Sequence, residues 1–156
     1  MTLLTGDEIV EIAIRLEKRG EAFYIEAAES AITASVKALF EDLAEQERHH
    51  CRAFQQMGRD VMELALSPDQ WDQFQDYTAA LLQQNLFDKP HGALSRAAGA
   101  TEVEELLRAA LDFEKETLLF YYGLREALRG AAQQVLDDII QEEKRHIRRL
   151  SGMLPA

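Results

Sequence analysis

Two distant segments of this chain carry the same unusual pattern, and that pattern restricts the fold more than any other feature. Glu47-Arg48-His49-His50 lies in a run whose apolar residues, Phe40, Leu43, Phe54 and Met57, fall at steps of three and four. Glu143-Lys144-Arg145-His146 lies in the same way among Leu136, Ile139, Leu150 and Met153. Such an alternation puts all these side chains on one helix face. Each Glu-x-x-His pair therefore interrupts a stripe otherwise suited to a core. A lone Glu precedes each pair at nearly the same distance. Glu17 falls in the stripe Val10, Ile14, Glu21, Tyr24, Ala28, and Glu114 in the stripe Leu107, Leu111, Leu118, Tyr121, Leu128. Glu17-Lys18 and Glu114-Lys115 are each followed by a Phe-Tyr pair, Phe23-Tyr24 and Phe120-Tyr121.

The repeat reads as two helical hairpins of one design. Either hairpin alone leaves an apolar face bare, and pairing the two closes a four-helix bundle. The expected helices run over about 6–30, 35–57, 102–129 and 131–151, in a single domain spanning 1–156. Thr5 with Glu8, and Thr101 with Glu104, have the spacing of capping boxes. Ala31–Ser35 reads as a turn, Gly58 as a helix stop, and Gly130 as the end of the third long helix. Residues 58–100 form a crossover. Within it, Ser67-Pro68 opens a short helix of about 68–86 carrying Trp71, Phe74, Tyr77, Leu81 and Leu82. Asp88-Lys89-Pro90-His91-Gly92 then breaks it. Only three prolines and eight glycines are present, so composition agrees with an all-α fold.

The chemistry lies in what interrupts the stripes. A buried ionised carboxylate is costly unless it is paired or bound to a cation. Glu17, Glu47, Glu114 and Glu143, with His50 and His146, are all directed to one level of the core. Two divalent cations balance four carboxylates. Residues three apart share a helix face, so Glu-x-x-His offers an oxygen and a nitrogen to one metal. One Glu from each of two helices, plus Glu-x-x-His from each of the other two, is the set used by di-iron and di-manganese bundles.

Other residues have plainer expectations. Tyr24 and Tyr121 either hold ligand carboxylates by hydrogen bonds or serve as core aromatics with a polar tip. His49 lies roughly 100° around the helix from His50 and faces solvent. His91 is a loop residue, Glu21 a salt-bridge partner, and Cys51 a small apolar filler. Trp71, Phe74 and Tyr77 cover the bundle. Asp42 and Asp138 recur in both halves and either orient a histidine or lie on a solvated face.

With 17 basic and 28 acidic residues the formal charge is −11. Such a surface repels nucleic acid and anionic membranes. No apolar stretch approaches the ~20 residues that cross a bilayer. The N-terminal residues lack the basic start and apolar run of a signal peptide, so a cytoplasmic protein is expected. Cys51 is the only cysteine, which excludes an intrachain disulfide and a four-cysteine iron site.

At these residues the chain resembles the rubrerythrin and ferritin-like superfamily of di-iron carboxylate proteins. The likeness rests on Glu17 with Phe23-Tyr24, on Leu43-Ala44-Glu45-Gln46-Glu47 followed by His50, and on Glu142-Glu143-Lys144-Arg145-His146. It covers the four main helices and is weakest over 58–100. The resemblance implies a ferritin-like bundle holding two iron ions, with manganese or a mixed iron–manganese pair as the other choice. It makes Glu17 and Glu114 terminal ligands and Glu47 and Glu143 bridges, with His50 and His146 completing the two spheres. It implies a redox protein of peroxidase or ferroxidase type that reduces peroxide or dioxygen with electrons from an external donor. A homo-oligomer is expected, with a dimer favoured. Two other readings stay open: a ferroxidase or iron-storage subunit, and a non-catalytic bundle with a structural metal pair. The chain departs from the rubrerythrin pattern in two ways. It carries no rubredoxin-like four-cysteine domain. Where rubrerythrins place an extra carboxylate one turn after the third-helix Glu, it has Thr117, with Gly20 as the counterpart in the first hairpin.

Overall fold

A computed structural model describes residues 6–31, 33–59, 67–83 and 102–155. These form helices α1 (Gly6–Ser30), α2 (Ala34–Arg59), α3 (Pro68–Gln83), α4 (Val103–Ala127) and α5 (Gly130–Gly152), with no strand among the described residues. None of them is long and apolar enough to cross a membrane. α1 pairs with α2 and α4 with α5, as the repeat requires, and α3 lies against α4.

Two apolar clusters fill the bundle, one toward each end. The first holds Ile9, Val10, Ala13 and Leu16 of α1, Phe54 and Met57 of α2, Leu118, Phe120, Tyr121 and Leu124 of α4 with Leu128 just after it, and Leu136, Ile139 and Ile140 of α5. The second holds Tyr24, Ala27 and Ala28 of α1, Phe40 and Leu43 of α2, Leu106 to Leu111 of α4, and Leu150. The order in which each helix visits the clusters fixes the topology. α1 and α5 run from the first to the second, whereas α2 and α4 run from the second to the first. α2 therefore ends at one end of the bundle and α4 begins at the other. The connection must travel the bundle's length, which a tight turn cannot do. On that path α3 buries Phe74 against the first cluster, with Trp71 packed beside it.

Local signals account for the starts of α2 and α3. Ser67 Oγ accepts a hydrogen bond from the Gln70 amide at 3.3 Å, and Gln70 Oε1 accepts from the Ser67 amide at 3.0 Å. This reciprocal cap fixes the start of α3. Thr33 caps α2, its Oγ1 accepting from the Val36 amide at 3.3 Å.

α4 takes Glu102 as its N-cap, with no side-chain cap bond; Thr101 lies outside the described residues. Three expectations are corrected. α2 continues through Gly58 to Arg59, because packing in the hairpin holds Gly58 in the helix; a Cβ there would lie 3.3 Å from Val10. Met153 is 37% exposed, since α5 ends at Gly152 and the helical stripe does not continue past it. Gly130 begins α5 rather than ending α4. Thr5, the side chains of Leu81 and Leu82, and the break at 88–92 lie outside the described residues.

The α4–α5 junction needs Gly130, whose φ is 62°. Nothing lies within 4 Å of a Cβ added there, so the cost of a side chain is backbone strain alone. Gly130→Ala is expected to lower stability by ~1 kcal/mol, seen as a lower denaturant midpoint with an unchanged slope.

Candidate metal centre

Between the two apolar clusters lies a polar layer. Glu17, Glu47, Glu114 and Glu143, with His50 and His146, are each no more than 2% exposed. All six residues singled out from the stripes are thus brought together. Their donor atoms fall into two sets, Glu17, Glu47, His50 and Glu143, and Glu47, Glu114, Glu143 and His146, with all atoms of a set within 4.8 Å of one another. Glu47 and Glu143 belong to both sets.

The imidazoles turn the same edge inward. His50 Nδ1 lies 3.0 Å from Glu143 and 3.4 Å from Glu17. His146 Nδ1 lies 2.9 Å from Glu143, 3.2 Å from Glu47 and 3.3 Å from Glu114. The rings stack with centroids 5.6 Å apart. Their outer nitrogens are each tied to the opposite hairpin. His50 Nε2 meets Glu142 at 2.6 Å, and His146 Nε2 meets Gln46 Oε1 at 2.8 Å. An acceptor on Nε2 fixes its proton there and leaves the Nδ1 lone pair for the centre.

The tyrosines cross the bundle in the same manner. Tyr24 of α1 donates to Glu114 of α4 at 2.6 Å, and Tyr121 of α4 donates to Glu17 of α1. Burial, then the charges of their carboxylate partners, hold both phenols well above their ordinary range. They stay protonated and each spends its hydrogen on one carboxylate oxygen. The other oxygens, Glu17 Oε2 and Glu114 Oε2, together with Glu47 Oε1 and both oxygens of Glu143, accept no aligned hydrogen bond from the described residues. Buried oxygens without donors are costly, and oxygen with imidazole nitrogen is a donor set for divalent first-row metals. The residues present fit a pair of such ions.

Space is reserved for the shared carboxylate. A Cβ on Gly20 would stand 3.0 Å from Glu47 Oε2 and 3.1 Å from the Phe113 ring, so only glycine leaves Glu47 in place. Thr117, one turn beyond Glu114, is 2% exposed, and its hydroxyl makes no protein hydrogen bond.

Without metal, protons must neutralise the layer. Burial, then Glu143, Glu17 and Glu114, push Glu47 well above the carboxylate range. Burial and Glu143 raise Glu114 to about 8. Burial also acts on Glu17, but the charge of His50 and the surrounding hydrogen bonds hold it low. For Glu143, burial and the charge of Glu17 are outweighed by the two histidines and Glu114 close beside it. Burial opposes the imidazolium forms, yet Glu17 with Glu142 and Glu143 raises His50 well above its ordinary value. Glu114 and Glu143 raise His146 to about 10. Two imidazolium ions then face two carboxylates, with Glu47 and Glu114 neutral. Two divalent cations restore the same balance once those protons leave.

The remaining expectations resolve simply. His49 is exposed and pairs with Glu45 at 3.2 Å, and Glu21 pairs with Arg48 at 2.9 Å. Cys51 is buried, and Asp138 is exposed. Asp42 accepts from the Gln46 amide at 2.7 Å, so it orients His146 through Gln46. His91 lies outside the described residues. The histidine partners Gln46 and Glu142 were not identified from the sequence. Their one signal is that both are polar and both immediately precede the shared Glu.

A bundle with two Glu-x-x-His helices and two single-Glu helices around one buried cluster defines a ferritin-like diiron-carboxylate fold. A candidate ferritin-like diiron-carboxylate protein from Thermotoga maritima shares it with a TM-score of 0.70 and 28% identity, over 98% of this chain and 96% of that one. Residues 8–154 match the Rubrerythrin family, and the chain belongs to that family. No curated protein matches it.

The raised values set a pH dependence. Glu47, Glu114, His50 and His146 bind protons more tightly folded than unfolded. The stability they contribute is full below their unfolded values and is lost as pH rises through the folded ones. The lowered values of Glu17 and Glu143 act only on the acid side. The melting temperature of metal-free protein should fall as pH rises through the Glu114 value of about 8. Protein loaded with Mn²⁺ should hold its melting temperature across that interval, because the cations replace the protons.

Proposed function

We infer that this chain is a di-iron carboxylate redox protein that reduces peroxide or dioxygen. The observation that carries this reading is the pair of four-residue donor sets sharing Glu47 and Glu143. A bound iron pair would supply two electrons, one from each metal, for the reduction of a small oxidant.

The chain's residues have defined tasks in this reading. Glu47 and Glu143 would be shared by the two metals, since each belongs to both donor sets. Glu17 and Glu114 would each serve one metal, and the hydrogen bonds from Tyr121 and Tyr24 hold one oxygen of each carboxylate in place. His50 and His146 would each offer Nδ1 to one metal. The apolar clusters on either side exclude water and so strengthen every charge interaction within the layer. Electrons would come from a donor outside these 156 residues, which hold one cysteine and so no four-cysteine iron site.

Anaerobic loading with Fe²⁺, followed by stopped-flow mixing with hydrogen peroxide or dioxygen, tests the proposal. Two irons per chain and faster oxidation by peroxide are expected. Preference for dioxygen with growth of a mineral core would point to iron storage, and folded protein that takes up fewer than two metals would overturn the assignment. Glu47→Ala and Glu143→Ala each remove a ligand from both positions. Either change should abolish two-metal binding while the helical circular dichroism of the metal-free protein persists. Retention of two tight metals by the double variant would contradict the assignment of bridges.

A further inference from the structure

The two donor sets match residue for residue, each with a terminal Glu, the two shared carboxylates and one histidine. The match ends one bond further out. His50 Nε2 lies 2.6 Å from a carboxylate oxygen of Glu142. His146 Nε2 lies 2.8 Å from the amide oxygen of Gln46. Gln46 and Glu142 occupy the same place in the repeat, each immediately before the shared Glu. One half of the molecule thus offers its partner's histidine a full negative charge, and the other offers a neutral dipole.

More distant groups do not cancel this difference. Behind Gln46, Asp42 accepts from the amide at 2.7 Å, which fixes Oε1 toward His146. The charge of Asp42 is itself met by Arg149 at 2.5 Å. Behind Glu142 the nearest cation is Arg145 at 3.8 Å, with its side chain 55% exposed, a much weaker offset. A carboxylate accepting the Nε2 proton makes the imidazole a stronger donor at Nδ1 and adds negative charge beside the bound cation.

We propose that Glu142 and Gln46 make the two metal positions unequal, so that the position at His50 fills first and holds its cation more tightly than the position at His146. The proposal rests on the two-metal reading above. Glu142 and Gln46 are positioning residues, acting on the metals through the histidines. Outer partners of metal-bound histidines commonly change affinity by about 10- to 100-fold, and a difference of about tenfold between the positions is expected here.

The test uses the full chain, freed of metal, labelled with ¹⁵N in its histidines and titrated with Zn²⁺. Direct ligation moves the Nδ1 resonance of the histidine concerned. In the natural protein His50 should respond over the first equivalent and His146 over the second. Glu142→Gln should bring the two responses together. The exchange Gln46→Glu with Glu142→Gln keeps the composition unchanged and should reverse the order. A merely structural role for these residues would lower both occupancies and leave the order alone. An order unchanged in both variants, or simultaneous filling in the natural protein, would overturn the proposal and leave the two-metal reading standing. Ligation at neither histidine would remove both. Should the exchanged protein fail to fold, Glu142→Gln alone decides through the separation of the two responses.

Discussion

Four carboxylates and two imidazoles confined to one dry layer govern what the rest of this protein must do. Like charges a few ångströms apart repel strongly where water is excluded, and each carboxylate loses its hydration as well. The layer is tolerable only when positive charge enters it, as protons on His50, His146, Glu47 and Glu114 or as a pair of divalent cations. Neither the fold nor the proposed chemistry can be described without stating which of these balances the charge. The raised values of Glu47 and Glu114 follow from burial beside like charges, a cost that bound cations would relieve.

The same layer fastens the two hairpins together. Within each hairpin, antiparallel helices pack along their length. Between hairpins the directional contacts gather at the centre. Tyr24 reaches Glu114, Tyr121 reaches Glu17, and the histidines reach Glu142 and Gln46. Each pair joins one hairpin to the other, and each comes with a counterpart related by the repeat. Apolar packing sets how close the hairpins lie but tolerates sliding. Hydrogen bonds to a buried carboxylate or imidazole do not, because a shifted register leaves a buried polar atom unpaired. The register of the bundle and the geometry of the centre are therefore fixed by the same bonds.

Much of this could be read from the chain. The stripes through Phe40, Leu43, Phe54 and Met57, and through Leu107, Leu111, Leu118 and Tyr121, set four long helices and their inward faces, since helical periodicity is a local property. The six carboxylate and imidazole residues stood out because they break those stripes in matched places. Helix ends were less legible. Gly58 stays helical against Val10, because hairpin packing outweighs the small local preference of glycine to end a helix. Met153 was misplaced since a stripe carries no information about where its partner helices end.

Sequence by itself determined the class of fold, the crossover and the six carboxylate and imidazole residues of the central layer, because each follows from periodicity and charge along a single chain. Tertiary structure alone decided who meets whom. A helical wheel puts Gln46 beside its own His50 and Glu142 beside its own His146, yet each serves the histidine of the other hairpin. It equally decided that Gly20 must lack a side chain, since Glu47 of the neighbouring helix fills the space where one would go. Such partners lie up to about a hundred residues apart, and no local pattern encodes the distance at which two helices finally pack.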